Sequence, residues 1–367
     1  MIMDTAQASM NNPLGIIGNR DLLCRLTRDA REGTLSHAYI IDGKVGSGRH
    51  TVARHLACAC ACHHRPGRVA VTEHAGQMGF FDDEAPVIPD VDIPIPCGVC
   101  EGCRKVRENI CPDVITVGRE GKATLGVEAV RRIKESIYMA PGEMEHKVYI
   151  IEDAETMTPQ AQNALLLSLE EPPPYVLFLL LCNGAENLLE TIRSRAPVLH
   201  TSPIPHEEIR AYLSAHQKSL PSEEMEALLI CADGAIGQAL ALSDPKSLKS
   251  IIKQRSLVDT FIQGYTRRQS GLVPSVLGQF GTKRDEVLSL LSLITLAVRD
   301  LILLKKSETA LLKYYTDREI ALSLTEELTL KTLLSLYDAL ENAKDDLTRN
   351  GNIRLTLTHL WLSADGS

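Results

Sequence analysis

A predicted strand, a glycine-rich turn and a predicted helix follow one another between Ala38 and Leu56, and this order constrains the fold most. The apolar run 38–41 predicts a buried strand, 43–48 the turn, and 51–56 the helix that follows. This arrangement is typical of a phosphate-binding loop (P-loop), in which backbone amides at a helix N-terminus hold phosphate groups. The alternative is a glycine-rich turn without that ancestry.

The loop keeps its glycines but has changed the residues that do the chemistry. Arg49 occupies the position of the phosphate-contacting Lys, and His50 that of the Ser or Thr whose hydroxyl holds Mg²⁺. A guanidinium is forked and bulkier than an ammonium, and imidazole is a poor ligand for a cation that prefers oxygen. We expect no nucleotide hydrolysis at this site, while binding of ATP without turnover stays open. The candidate nucleotide-contacting residues of the loop are Gly43, Gly46, Gly48, Arg49, His50 and Thr51.

Charge and cysteine content narrow the class of protein. A formal charge of −8 over 367 residues argues against strong unaided binding to DNA. No apolar run approaches the roughly 20 residues of a membrane span, and the first residues lack the pattern of a signal peptide. We therefore expect a cytoplasmic protein. Ten cysteines in a reducing compartment favour metal binding over disulfides.

The cysteines at 97, 100 and 103 have the spacing of metal ligands. Three thiolates so placed can surround one Zn²⁺, and a fourth completes the tetrahedron. Four protein ligands leave no open position for water, so such a zinc site would be structural. Free buried cysteines are the alternative. The predicted ligands are Cys97, Cys100, Cys103 and, as the favoured fourth, Cys58, with Cys62, Cys60 and Cys111 as alternatives.

Strands and helices alternate up to about residue 203, and only helices are predicted beyond it. This order predicts a doubly wound α/β domain with a mainly parallel sheet, followed by all-α regions. In such a sheet the ligand lies at the carboxyl ends of the strands. The further predicted strands are Val114–Val117, Val148–Ile151, Val176–Cys182 and Val198–His200.

Several segments together resemble the bacterial clamp-loader family of AAA+ proteins, and within it the delta prime type. The resemblance runs from about Ile16 to the C-terminus and is interrupted only by the polar stretch 63–96. The segments that carry it are Ser36-His-Ala-Tyr39, Cys97-Gly-Val-Cys-Glu-Gly-Cys103, Cys111-Pro-Asp-Val114, Val148-Tyr-Ile-Ile151, Gln162-Asn-Ala-Leu-Leu166, Leu169-Glu-Glu-Pro-Pro173, Ile192-Arg-Ser-Arg195, Arg299-Asp-Leu301 and Asn352-Ile-Arg-Leu355.

The resemblance implies a domain plan and a set of partners. The plan is an AAA+ P-loop domain at 12–203 containing a zinc module (58–111) and a disordered insertion (63–96), a helical lid at 204–245 and an α-helical collar at 246–367. A clamp loader is a five-subunit ring that uses ATP to open the sliding clamp and place it on primed DNA. The implied partners are gamma/tau-type motor subunits and a delta subunit, with DNA bound only within the complex.

Two departures from the motor pattern bear on catalysis. The acid pair that normally reads Asp-Glu is Glu152-Asp153 here. Both carboxylates remain, but the longer and the shorter side chain have exchanged positions. The Ser-Arg-Cys motif reads Ser194-Arg195-Ala196. The resemblance implies that Arg195 acts as an arginine finger, stabilising phosphoryl-transfer charge in a neighbouring subunit's site. The alternative is a cation favoured by the dipole at a helix end.

The polar insertion contains a candidate clamp-binding peptide. Gln77, Met78, Phe80 and Phe81 resemble the short motif with which polymerases dock on the sliding clamp. Adjacent aromatic side chains in so polar a segment favour a binding partner. Alternatively, the two Phe side chains cover an apolar surface of their own domain.

Three functions compete for the whole chain. The favoured one is a non-catalytic, stator-like subunit of the clamp loader, with no ATPase activity by itself. The main rival is an ATP-hydrolysing motor subunit of the gamma/tau type, or a solitary AAA+ ATPase. A zinc-dependent nucleic-acid module accounts for the cysteines but leaves the acidic charge and the α/β core unexplained.

Overall fold

The computed structural model describes residues 14–64, 96–216, 220–267, 272–307, 309–315 and 317–365. The chain divides into two compact units. The first consists of Met1–Glu208 together with Ala235–Gly237, and the second of Ile209–Gly234 together with Gln238–Ser367. The finer division into P-loop domain, lid and collar stays a prediction.

The first unit is built on a five-stranded parallel sheet with the strand order β2-β3-β4-β1-β5. The central strand β4 is buried at every position, which explains its uninterrupted apolar sequence, since helices cover both faces of such a sheet. The predicted α/β class and the strand positions are confirmed. The strands are β1 (Ala38–Asp42), β2 (Val114–Val117), β3 (Lys147–Ile151), β4 (Val176–Cys182) and β5 (Val198–His200).

Helices pack on both faces of this sheet. On one face, Tyr39 and Ile41 of β1 join a core with residues of α1, α2 and α3. On the other, Ala38 and Ile40 join a core with residues of α4 and α5. This alternation follows from the two-residue period of a strand. The helices of this unit are α1 (Arg20–Glu32), α2 (Arg49–Ala61), α3 (Glu101–Arg107), α4 (Val127–Ile137), α5 (Pro159–Glu170) and α6 (Glu190–Arg193), and α7 (His206–His216) passes from the first unit into the second after Glu208.

The described residues of the second unit form helices joined by loops, with no strand among them, as predicted. Its core is a single large apolar cluster that includes Phe261, Leu291 and Leu336. The helices are α8 (Ser222–Ala232), α9 (Ile236–Leu242), α10 (Pro245–Thr266), α11 (Leu272–Leu277), α12 (Arg284–Lys306), α13 (Arg318–Glu326), α14 (Leu330–Thr348) and α15 (Ile353–Asp365).

One helix in the described part of the chain, α12, is long and apolar enough to cross a membrane by length and composition alone. However, 61% of its most apolar stretch is buried inside the protein. Val287, Leu291 and Ile294 on this helix belong to the core of the second unit. The central helix of a helical bundle passes the same test, so α12 says little about a membrane.

Candidate functional site

The P-loop lies between β1 and α2, at the carboxyl edge of the sheet. Gly46 and Gly48 have φ of 81° and 98°, a backbone region that side chains other than glycine rarely adopt. A Cβ at Gly43 would lie 1.8 Å from the hydroxyl oxygen of Thr201. The three glycines are therefore required by backbone conformation or by space. The predicted order of strand, loop and helix is confirmed.

Arg49 is the first residue of α2 and is almost fully buried, with 5% of its surface exposed. Its Nη1 has no hydrogen-bond partner among the described residues. An unpaired buried nitrogen of a charged group is costly. The loop thus retains a cation, but in a forked group that differs from lysine in shape and donor geometry.

His50 contacts the acid pair that follows β3. Its Nδ1 lies 3.3 Å from Oε1 of Glu152, and Thr51 beside it is exposed. Where a P-loop hydroxyl would hold Mg²⁺, this chain therefore places an imidazole against the carboxylate. The contact is an ion pair when the imidazole is protonated and a hydrogen bond when Nδ1 carries the proton in the neutral ring.

The second carboxylate of the pair, that of Asp153, is also bound by a side chain of the protein. Asp153 Oδ2 accepts from Nε of Arg119 at 2.9 Å and lies 2.8 Å from Nη2 of the same guanidinium. Asp153 has a positive φ of 48°, which turns the chain into the short 3₁₀ turn Ala154–Thr156. Both acids that would organise Mg²⁺ and water in a hydrolytic site are thus engaged by side chains of this chain. The sequence analysis did not find Arg119, which lies 34 residues from Asp153.

A short segment packs directly on the P-loop. The Gly237 amide donates to the carbonyl of Gly46 at 2.9 Å. A Cβ at Gly237 would lie 2.9 Å from Cα of Gly46, closer than real Cβ contacts come. Ala235–Gly237 belongs to the same compact unit as the loop. Glycine at 237 is therefore what permits this close approach, a role that the sequence analysis missed.

Arg195 follows α6 and is bound to groups of its own domain. Its Nη2 lies 2.7 Å from Oε1 of Glu170, the last residue of α5. Its Nη1 donates to the carbonyl of Thr191 at 2.8 Å and to the hydroxyl of Ser194 at 3.3 Å. The side chain remains 35% exposed. The side chain of Arg195 thus contacts the predicted site residue Ser194, and it also contacts Glu170, which the sequence analysis did not find.

Four cysteines come together beside α3. The sulfur atoms of Cys62, Cys97, Cys100 and Cys103 all lie within 4.8 Å of one another, and such a group could hold a metal ion. Backbone amides point at two of these sulfurs: Cys100 N at Cys97 Sγ (3.3 Å) and His63 N at Cys100 Sγ (3.5 Å). Amide donors of this kind support thiolate ligands. Four sulfur donors fit a closed, tetrahedral zinc site best.

The fourth sulfur of this cluster belongs to Cys62, which the sequence analysis gave as an alternative, while the favoured Cys58 lies outside the cluster. Helix α2 ends at Ala61, and Cys62 has an extended backbone (φ −65°, ψ 125°). Cys58 lies inside the helix, and its Sγ faces the carbonyl of Cys103 at 3.8 Å. Burial raises the pKa of Cys58 to about 12, whereas a hydrogen bond from the Cys103 thiol lowers that of Cys62.

The two remaining alternatives also lie outside the cluster. Cys111 Sγ contacts Sδ of Met144 at 3.4 Å, and Cys60 is buried within α2. Gly102 explains how the cluster closes, because a Cβ there would lie 2.1 Å from the carbonyl oxygen of Ala61. The end of α2 and the start of α3 can therefore approach closely enough for the sulfurs to meet.

The predicted clamp-binding peptide, residues 77–81, lies outside the described residues, as does most of the insertion. Its role stays a prediction.

A parallel sheet with a glycine-framed loop between β1 and α2 defines an α/β protein of the P-loop class. Residues 88–205 match the family model described as DNA polymerase III, delta subunit. Residues 88–205 therefore carry a domain of this family, which confirms the predicted resemblance for that part of the chain.

The relatives include two kinds of subunit. The delta prime subunit of Escherichia coli DNA polymerase III is 37% identical over 147 residues, covering 40% of this chain and 44% of that protein. The tau subunit of Salmonella typhimurium is 29% identical over 233 residues, covering 62% of this chain and 32% of that protein. The gamma subunit of Buchnera aphidicola is 29% identical over 231 residues, covering 62% and 56%. The chain thus spans roughly a third to just over half of these relatives.

A solved structure of a gamma-subunit-related protein from Thermotoga maritima aligns with 94% of this chain and 98% of its own. The sequence identity is 18% and the TM-score is 0.44.

Proposed function

We propose that this chain is a non-catalytic, delta prime-type subunit of a bacterial clamp loader that supplies Arg195 to a neighbouring motor subunit. The observation that carries the proposal is the pairing of both acids of the hydrolytic motif with side chains of the chain itself, His50 with Glu152 and Arg119 with Asp153. In a site arranged in this way, side chains of the same chain compete with Mg²⁺ and water for the carboxylates.

The proposed partners follow from the same assignment. They are gamma/tau-type motor subunits and a delta subunit in a hetero-pentamer, with primed DNA bound only by the complex and the sliding clamp contacted through residues 77–81. The P-loop domain, lid and collar would occupy 12–203, 204–245 and 246–367. The cysteine cluster would hold a structural Zn²⁺, and the chain would act in the cytoplasm.

Arg195 is the residue proposed to act in catalysis, at a site that belongs to another subunit. Its side chain is 35% exposed, and it lies two residues after the end of α6. An arginine that reaches a transferring phosphoryl group from a neighbouring chain contributes about 10³–10⁵ in turnover in other nucleotide hydrolases.

The deciding experiment measures ATP turnover in a loader reconstituted with the motor and delta subunits of the same organism. The purified chain alone should be inactive, and Arg195→Ala should slow the complex at least about tenfold. Arg193→Ala, two residues away and exposed, is the matched control and should leave turnover unchanged. Turnover by the chain alone, or full activity of Arg195→Ala, would contradict the proposal.

The second candidate, an ATP-hydrolysing gamma/tau-type motor, is favoured by two observations. Its relatives match 62% of this chain, against 40% for the delta prime relative. The buried cation Arg49 could also contact phosphate. The same turnover assay on the isolated chain separates the two candidates.

A further inference from the structure

Arg195 is folded back onto its own domain. Nη1 donates to two acceptors of the preceding turn, the Thr191 carbonyl and the Ser194 hydroxyl. Nη2 is paired with the carboxylate of Glu170. A guanidinium recognises phosphate through a fork of two parallel N–H groups. With both terminal nitrogens bound internally, Arg195 must give up contacts before it can present that fork to a phosphoryl group.

The two partners stand on backbone that is fixed in place. Glu170 is next to the buried Leu169 on α5, and Arg195 lies between the buried Ile192 and Ala196. The buried Gln162 of α5 accepts from the amide of Leu189, just before α6, at 2.8 Å. This bond joins the first half of α5 to the start of α6, and so limits how the two helices next to Glu170 and Arg195 can shift against each other.

We propose that Glu170 is a positioning residue that latches Arg195 in a retracted position until the charge that develops on a transferring phosphoryl group in a neighbouring subunit's site competes for the guanidinium. The inference rests on the proposed role of Arg195 and adds a control element to it. The side chains are 35% and 42% exposed, so water screens the pair and its release costs little. A polyphosphate carries more charge than one carboxylate and offers a better match to the fork.

Loss of the latch and loss of the finger should change ATP turnover in opposite directions. In the reconstituted complex, Glu170→Gln should raise the turnover number for ATP about threefold when clamp and DNA are absent, the factor that corresponds to an exposed ion pair. The KM for ATP should stay unchanged, because the finger acts on the transition state. Arg195→Ala should lower turnover, and the double variant should be as slow as Arg195→Ala.

Matched controls isolate the pair. Glu171→Gln removes the adjacent carboxylate, which has no pairing with Arg195, and should behave as the parent. The charge exchange Glu170→Arg with Arg195→Glu can restore an ion pair but places an anion at the finger position. If the pair were merely structural, this exchange would recover turnover; the finger role on which the latch rests predicts that it stays slow, and the rise with Glu170→Gln is what distinguishes the latch.

The outcomes separate the two ideas. If Arg195→Ala slows the complex but Glu170→Gln leaves turnover equal or lower, the latch is overturned while the finger stands. If Arg195→Ala has no effect, the finger fails and the latch fails with it. A rise with Glu170→Gln that disappears in the double variant supports the latch.

Discussion

Nδ1 of His50 lies 3.3 Å from Oε1 of Glu152. In a hydrolytic P-loop protein the residues at these two positions act on the same Mg²⁺ ion, whereas here they contact each other. The histidine does two things at once. It removes the hydroxyl that would contact the metal, and it engages the carboxylate on the other side of the site. An arginine in the preceding position then leaves the loop with a cation but without a metal ligand.

Returning the loop residues to the hydrolytic pattern should therefore restore binding before it restores turnover. In Arg49→Lys with His50→Thr, the hydroxyl supplies an oxygen for Mg²⁺ and Glu152 is released, so Mg²⁺–nucleotide affinity should rise about tenfold or more. ATP turnover should stay at background for two reasons. Asp153 remains paired with Arg119, and the acid pair still reads Glu-Asp where hydrolytic subunits have Asp-Glu. Calorimetric titration of the isolated chain measures the affinity. His216→Thr, at an exposed histidine of α7, is the control, and an unchanged affinity in the double variant would contradict the prediction.

At Gly237 we expect a change from glycine to alanine to destabilise the protein, although the same change usually stabilises a helix. In an ordinary helix position, glycine to alanine stabilises by up to about 1 kcal/mol. At Gly237 the added Cβ meets the Gly46 backbone at 2.9 Å. Gly237→Ala should therefore destabilise the protein by about 1–3 kcal/mol, as overpacking does.

Denaturant unfolding of Gly237→Ala and of a matched variant measures this difference. Gly142→Ala is the comparison, because nothing lies within 4 Å of a Cβ there and its φ is not positive. That variant should be neutral or slightly stabilised. A stabilised Gly237→Ala would show that the segment does not pack on the loop in solution.

Metal content should distinguish Cys62 from Cys58. Zinc bound by four thiolates is lost when one ligand becomes serine, whereas a buried cysteine outside the cluster is dispensable. Cys62→Ser should therefore purify with little zinc, and Cys58→Ser with about one equivalent, as the parent does. Elemental analysis of the purified proteins gives the content. Zinc retained in Cys62→Ser and lost in Cys58→Ser would reverse the assignment.

The choice between Cys58 and Cys62 shows where sequence patterns stop being informative. The two residues are four positions apart and would share one face if the helix continued, so sequence periodicity does not distinguish them. What separates them is the end of α2 at Ala61, one residue before Cys62. Helix ends are the least certain part of a prediction from sequence, because fraying and local contacts decide them.

The sheet was easier to predict because its strands carry a strong local signal. β4 is apolar along its whole length, and parallel order follows from the alternation of strands with helices. The pairings of Arg119 with Asp153 and Glu170 with Arg195 leave no such local trace. They join residues from different elements, and only the folded chain brings them together.

Two aspartates explain why some family segments look as they do. Asp113, in Cys111-Pro-Asp-Val114, accepts from the amides of Gly142, Glu143 and Met144 at 2.7–2.9 Å. Asp300, in Arg299-Asp-Leu301, is fully buried and accepts from the amides of Lys313 and Tyr314. Each carboxylate holds a loop through its backbone amides, so these aspartates have a structural role and not a catalytic one.

His55 predicts a defined dependence of stability on pH. The imidazole lies between α1 and α2, with Nε2 2.9 Å from the Thr27 hydroxyl, and it is buried. Burial lowers its pKa from 6.5 to about 4. The folded protein therefore keeps this ring neutral at a pH where the unfolded chain already binds the proton.

The sign of the effect follows from this proton difference. Above pH 6.5 both states are neutral, and the contribution to stability is fully present. As the pH falls from 6.5 towards 4 the unfolded state gains a proton, so the free energy of unfolding should drop by about 2 kcal/mol between pH 7 and pH 5. Denaturant unfolding of the parent and of His55→Gln at both pH values isolates this contribution, since other titrating groups are common to the two proteins. Equal pH dependence in both would mean that the ring is not buried neutral in the folded state.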